Sequence, residues 1–186
     1  MSVCSSRVPA ASPVGRAQRE LEREPQRRGV GAEVLATIAA GLALSCGEQL
    51  SELPEGGDRR FVRLLQSEAY DAWLIAWDPA SDLDLHDHGG SEGAFHVVRG
   101  WLVEVHADLD RRHPLQTLRL RAGTTRQVAA TRVHRVWNPG PGEALSVHVY
   151  SPPLTSMVFY DDHPDRFLAP IRTQVVDGVP EVEATP

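Results

Sequence analysis

From Arg60 onward the chain alternates short apolar runs with Gly, Pro and Asp at intervals of roughly ten residues, the pattern of an antiparallel sandwich or barrel. The runs predict strands over 60–66, 70–77, 84–88, 93–99, 101–108, 116–121, 125–129, 133–138, 143–151 and 157–160, with a further edge strand over 173–176. No long amphipathic helix interrupts them. Ahead of them, Val34, Leu35, Ile38, Ala39, Leu42 and Leu44 recur at helical spacing and Gly47 supplies a stop, so a short helix is expected over 32–45. The fold class expected is therefore mainly β, a jelly-roll-like antiparallel sandwich or barrel with one or two short N-terminal helices. Residues 1–28 mix Ser, Pro, Ala and Arg with a charged run and predict a disordered leader; 29–180 read as a single domain and 181–186 as a flexible tail.

Composition narrows the chemistry. At 186 residues and 41% hydrophobic content the chain can bury one good core but not two. A net charge of −6 offers no broad basic field for a polyanion, so no nucleic-acid partner is expected. All 19 basic residues are arginine, which rules out Schiff-base lysine chemistry. Cys4 and Cys46 are the only cysteines, too few for a disulfide framework or a cysteine zinc site, and a reducing cytoplasm fits them. The most apolar stretch, Val34 to Leu44, is too short to span a membrane, so neither membrane attachment nor export is expected. The partners expected are small molecules, with the chain a monomer.

His86 and His88, in Leu-His-Asp-His-Gly-Gly, put both imidazoles on one side of an extended strand, because successive side chains alternate faces. His134, in Gly123-x(10)-His134-x(3)-Asn138, ends another β-like run and would complete a facial set with open positions on a metal. A histidine-only set allows zinc, manganese, nickel or iron. His96, His106, His113 and His163 fall outside the pattern and read as surface or packing residues. In Ser146-Val147-His148-Val149-Tyr150, period-two alternation puts both valines on one face and Ser, His and Tyr on the other. Those three side chains could form a relay in which a serine orients an imidazole and the imidazole holds a phenol. A strand turned to water would show the same alternation.

Taken together, Arg63 in Phe-Val-Arg-Leu-Leu, His86-Asp-His88, His134-Arg-Val-x-Asn138 and Ser146-x-His148-x-Tyr150-Ser-Pro-Pro resemble the cysteine dioxygenase family of thiol dioxygenases, cupins that hold one ferrous ion. The resemblance covers about residues 58 to 160. It implies Fe(2+) on His86, His88 and His134, an outer triad of Ser146, His148 and Tyr150, and Arg63 pairing with the substrate carboxylate, a task suited to its planar fork. The implied reaction joins L-cysteine and O2 to give cysteine sulfinate. Trp77, where the family also has a tryptophan, reads as packing. Gly93 stands where animal members carry a cysteine cross-linked to the tyrosine, so Tyr150 is expected as a free phenol, as in bacterial members. Glu92 occupies the position at which many other cupins place a carboxylate ligand, and is expected to face outward. Ser151-Pro152 can adopt the cis bond that family members carry, or be a plain strand-ending turn. The rival readings are a 3-mercaptopropionate or other small-thiol dioxygenase, a non-catalytic metal- and ligand-binding cupin sensor, and a zinc-dependent isomerase or hydrolase on the same fold.

Overall fold

A computed structural model of the chain describes residues 29–109, 115–161 and 168–176. Among the described residues there are one α-helix, α1 (Ala32–Ala43), a 3-10 turn at Glu48–Glu52, and eleven strands. These are β1 (Arg59–Gln66), β2 (Asp71–Trp77), β3 (Asp82–His86), β4 (Glu92–Arg99), β5 (Trp101–Asp108), β6 (Gln116–Arg121), β7 (Thr125–Val128), β8 (Arg132–Trp137), β9 (Ala144–Ser151), β10 (Ser156–Tyr160) and β11 (Pro170–Val175). One sheet runs β1-β2-β9-β4-β7 and the other β11-β10-β3-β8-β5-β6, with every recorded pairing antiparallel. Two such antiparallel sheets, with a helix packed on one of them, make the mainly β, jelly-roll-like sandwich expected from the sequence.

The central strand of the first sheet, β9, is buried along its whole length. Alternation explains how. Val147 and Val149 point to the outer face, where Ala72, Leu74 and Ala94 join them under Leu35 and Ala39 of α1. The even-numbered residues, Ser146, His148 and Tyr150, therefore face inward between the sheets, and the water-facing alternative for this strand is excluded. Inside, Trp77, Phe95, Val97, Leu102, Leu120, Val128 and Val136 form one apolar cluster, and Trp73, Leu154, Met157 and Phe159 gather with Tyr150 in a second. At about 25 cal/mol per Å² of apolar surface these clusters supply the driving force that offsets burying polar groups between them.

Two details differ from the sequence reading. The strand carrying the paired histidines ends at His86, so His88 lies in the turn that follows rather than on the strand. The turn is held because Asp87 Oδ1 accepts from the amides of Gly89 (2.9 Å) and Val158 (3.2 Å), while Oδ2 accepts from the Tyr160 hydroxyl (2.6 Å). Gly89 adopts φ +59°, and a Cβ there would stand 2.9 Å from the Ser156 carbonyl oxygen, so glycine is required on both counts. The edge strand begins earlier than expected, at Pro170. The expected leader and C-terminal tail, and His113 and His163, lie outside the described residues. Among those described, no helix is long and apolar enough to cross a membrane.

Candidate metal centre

β3 and β8 are neighbours, with His86 directly across from His134, and the turn after β3 folds His88 back onto the pair. Each of the three is almost wholly buried, and one ligand nitrogen from each lies within 4.8 Å of the others. Their hydrogen bonds settle which nitrogens face inward. His86 Nδ1 sits 2.7 Å from the Asp84 carbonyl, which can only accept, so Nδ1 carries the hydrogen and Nε2 keeps its lone pair. His134 Nδ1 donates in the same way to Glu104 Oε1 at 2.8 Å. That leaves His134 Nε2 and His88 Nε2 3.2 Å apart. Two imidazole nitrogens that each bind one ion at about 2.0–2.1 Å take a separation of this size. Burial, reinforced by mutual repulsion with His134, pushes His86 and His88 well below the ordinary histidine range, so both are neutral and ready to ligate. The three residues fit a metal ion.

Glu104 is the residue the sequence reading did not single out. It is fully buried, its Oε1 on His134 and its Oε2 accepting from Arg126 Nε at 2.8 Å. Burial works against its charge, but the His134 hydrogen bond and the charges of His134 and Arg126 outweigh that and hold the carboxyl at about 2. An ionised carboxylate on the far nitrogen of a ligating imidazole fixes the tautomer and raises its basicity. His106, expected at the surface or in packing, is buried beside it: Nδ1 is 3.8 Å from Glu104 Oε2, and Nε2 is 3.2 Å from Arg126 Nη2.

On the opposite sheet a chain of hydrogen bonds leads to the histidines. Trp77 Nε1 donates to Ser146 Oγ (2.8 Å), Ser146 Oγ meets His148 Nε2 (2.9 Å), and His148 Nδ1 meets the Tyr150 hydroxyl (3.1 Å). Trp77, read from the sequence as packing, is thus also the donor that heads the chain. Phe95 stacks on the His148 ring, with 4.8 Å between centroids and 8° between planes, and burial lowers His148 to about 3. Tyr150 closes the chain with its ring centroid 4.7 Å from that of His88. Burial, then the charge of Asp71, raises its phenol above the ordinary range, so it stays protonated.

The remaining sequence candidates are placed as follows. Gly93 lies across from Tyr150, and a Cβ there would be 3.1 Å from Tyr150 Cδ1; glycine leaves that ring its place. Glu92 points outward, its Oε2 accepting from the amide of Ala32 (2.9 Å), one of the orphan donors at the start of α1. The Ser151-Pro152 bond is cis. Asn138 is scaffold: its amide donates to the carbonyls of Trp77 (2.9 Å) and Gly142 (2.8 Å) and accepts from Gly140 N (2.9 Å). Arg63 lies on β1 with Cζ 4.3 Å from the Trp73 ring centroid and Nη1 donating to Gln66 Oε1 (2.8 Å). It is not in contact with the three histidines in this arrangement; its Nε is buried and without a hydrogen-bond partner.

Among solved structures, the chain is similar in fold to an oxalate oxidase at 22% identity and a TM-score of 0.48. That match takes in 55% of this chain and 55% of the other, about half of the oxidase's length. The protein TT1209 from Thermus thermophilus is similar at 23% identity and TM-score 0.48 over 56% of this chain and 94% of that one. The Schizosaccharomyces pombe Cnp3 cupin domain is similar at 12% identity and TM-score 0.47 over 55% and 70%. No curated protein matches the chain. The family model for cysteine dioxygenase type I matches residues 57–163, which is more than half of the sequence and contains every residue of the three-histidine centre and of the Trp77-Ser146-His148-Tyr150 chain. The chain belongs to the cysteine dioxygenase type I family, and its three buried histidines form a site that fits a metal ion.

Proposed function

We propose that this protein oxidises the thiol of L-cysteine with O2, at a ferrous ion held by His86, His88 and His134, to give cysteine sulfinic acid. The observation that carries this reading is the adjacency of His88 and Tyr150, which brings the end of a buried hydrogen-bond chain to the metal ligands. Both atoms of O2 go to sulfur, RSH and O2 giving RSO2H, and the sulfur supplies the electrons that O2 takes up, so no further reductant is needed. The bound ion would supply positions where a thiolate and O2 meet, and three neutral imidazoles leave it its full positive charge.

The chain's own residues do the rest. Arg63 lies on the same inner face, and a substrate carboxylate gives its buried Nε the acceptor it lacks, in the bidentate geometry a guanidinium suits. Holding the carboxylate fixes the sulfur relative to the histidines. Tyr150 is a proton donor at neutral pH, and His148 decides where that donor points. With its hydrogen on Nδ1, His148 donates to the phenolic oxygen while Ser146 donates to Nε2, and the Tyr150 hydrogen is left for the ligand. With the opposite tautomer Tyr150 donates to His148 instead. Trp77, donating to Ser146, needs only a lone pair and is compatible with both.

The test is the product. Iron-loaded protein incubated with L-cysteine and isotopically labelled O2 should yield the sulfinate with both oxygens labelled, read by mass spectrometry. Tight metal binding without thiol-dependent O2 uptake overturns the catalytic reading in favour of a sensor. A much larger specificity constant for 3-mercaptopropionate overturns the choice of substrate, and equal activity with zinc overturns the chemistry.

A further inference from the structure

Strand β2 opens on Asp71, a carboxylate only 2% exposed. Alternation groups it with Trp73, Ile75 and Trp77, while Ala72 and Leu74 turn outward under α1. In the pairing with β9, Asp71 lies directly across from Tyr150 and Trp73 across from His148, and directly opposed residues share a face. The carboxylate therefore sits between the sheets, beside the residue that ends the buried hydrogen-bond chain.

Both oxygens of Asp71 are committed to neighbours of Tyr150. Oδ2 accepts from Trp73 Nε1 at 2.9 Å, and Oδ1 accepts from the amide of Leu154 at 3.3 Å. Trp73 and Leu154 pack with Met157 and Phe159 in the buried cluster that holds the Tyr150 ring. Phe61 meets the Trp73 ring edge-on with 5.9 Å between centroids, so the indole is fixed by a ring contact as well as by the carboxylate. Leu154 belongs to the turn by which the chain leaves β9 after Tyr150 and Ser151, and its bond to Asp71 ties that turn back to β2.

Building on the thiol dioxygenase reading above, we propose that Asp71 is a positioning residue for that reaction: by holding Trp73 with one oxygen and the Leu154 turn with the other, it keeps the Tyr150 ring against His88 and its hydroxyl at His148. Stability alone does not account for a carboxylate here. Burial pushes the Asp71 carboxyl above the usual carboxylate range, and the hydrogen bonds from Trp73 and Leu154 and the charge of Arg63 bring it only part of the way back. The fold thus disfavours the charged form, and an uncharged isostere should fold at least as well. What the carboxylate supplies and an amide lacks is a second acceptor, so that both donors are held at once.

Steady-state O2 uptake with L-cysteine on iron-loaded protein, in a double-mutant cycle with Tyr150→Phe, tests this. Asp71→Asn should lower kcat by about tenfold or more at unchanged iron content, because the phenol is no longer held in place. In the Tyr150→Phe background the same substitution should change kcat by no more than about twofold, since no hydroxyl remains to be positioned. Trp73→Phe, which keeps an aromatic ring but removes the indole donor, should show a smaller loss with the same dependence on Tyr150. The urea midpoint of metal-free Asp71→Asn should be no lower than that of wild type. Equal loss in both backgrounds, no loss in either, or a destabilised Asp71→Asn chain overturns the inference while leaving the thiol reading in place. Absence of thiol-dependent O2 uptake by wild type overturns the thiol reading, and the inference with it.

Discussion

Replacing Glu104 with glutamine exchanges one buried oxygen for an NH2 and removes one charge, in a place where both carboxylate oxygens are already committed. Oε1 accepts from His134 Nδ1 and Oε2 from Arg126 Nε, each at 2.8 Å. The amide has one acceptor for these two donors, so either His134 or Arg126 must face an NH2. The carboxyl is held at about 2 against an ordinary 4.5, and at ~1.36 kcal/mol per pH unit that difference is about 3 kcal/mol favouring the ionised form in the folded protein. Because the folded value is depressed, this stabilisation is fully present above 4.5 and is lost as pH falls through about 2, so at neutral pH the variant forfeits all of it. The expected result is a loss of about 2–3 kcal/mol in the unfolding free energy of metal-free protein, read by urea denaturation at about pH 7. A second readout isolates the metal. With the anion gone His134 is a weaker base, and affinity for ferrous ion, measured by anaerobic competition with a chelator, should fall about 10–100-fold. Arg126→Gln, which leaves the His134 hydrogen bond intact, should weaken the metal far less. Unchanged metal affinity in Glu104→Gln, alongside the loss of stability, would refute the argument that the carboxylate acts through His134.

Three further outcomes are expected. His134→Ala should abolish iron retention, whereas Tyr150→Phe should retain iron and lose about 10²-fold or more in rate; equal iron loss in both, by metal analysis of purified protein, would show that Tyr150 is not a donor beyond the ligand set. His86, His88 and His148 are all depressed in the fold, His148 to about 3, so acid favours the unfolded chain, which takes up protons that the native site excludes. Metal-free stability should therefore be complete above about 6.5, the ordinary histidine value, and decline as pH falls toward 3; a flat denaturation midpoint between about pH 7 and 5 contradicts this. Trp77→Phe keeps the aromatic packing but removes the donor to Ser146, and should cost about 1 kcal/mol in stability with a measurable fall in rate; a rate equal to wild type would reduce Trp77 to packing alone.

Much of this architecture is legible in the sequence because the relevant patterns are local. Strands β5 and β6 have the predicted bounds, and most others differ by one or two residues, since Gly, Pro and Asp mark where each run must stop. His86, His88 and His134 stand out by spacing and order. What the sequence does not carry is the turn at Asp87. Its carboxylate, bonded to Gly89, Val158 and Tyr160, determines that the strand ends at His86 and that His88 returns to the pair. Two of those three partners lie far along the chain, so no local rule reveals them.

Glu104 was missed for a related reason that β9 also illustrates. In Trp101-Leu-Val-Glu-Val-His-Ala-Asp108 alternation groups Leu102 with Glu104 and His106, and Trp101 with Val103 and Val105. Read by hydrophobicity, the second set belongs inside. The structure buries the first: Leu102, Glu104 and His106 are enclosed while Trp101, Val103 and Val105 are only partly covered. On β9 the valines are buried as well, because α1 covers the outer face, but again the polar set is the one turned toward the opposite sheet. Alternation identifies which residues share a face, and hydrophobicity chooses between the faces only when the interior is apolar. Here the interior holds His134, Glu104, Ser146, His148 and Tyr150, whose hydrogen bonds to one another offset the cost of taking them from water. An inverted strand, polar on the face in phase with its neighbours' histidines, is therefore itself a sequence signal for a buried site, and on β5 it points to Glu104.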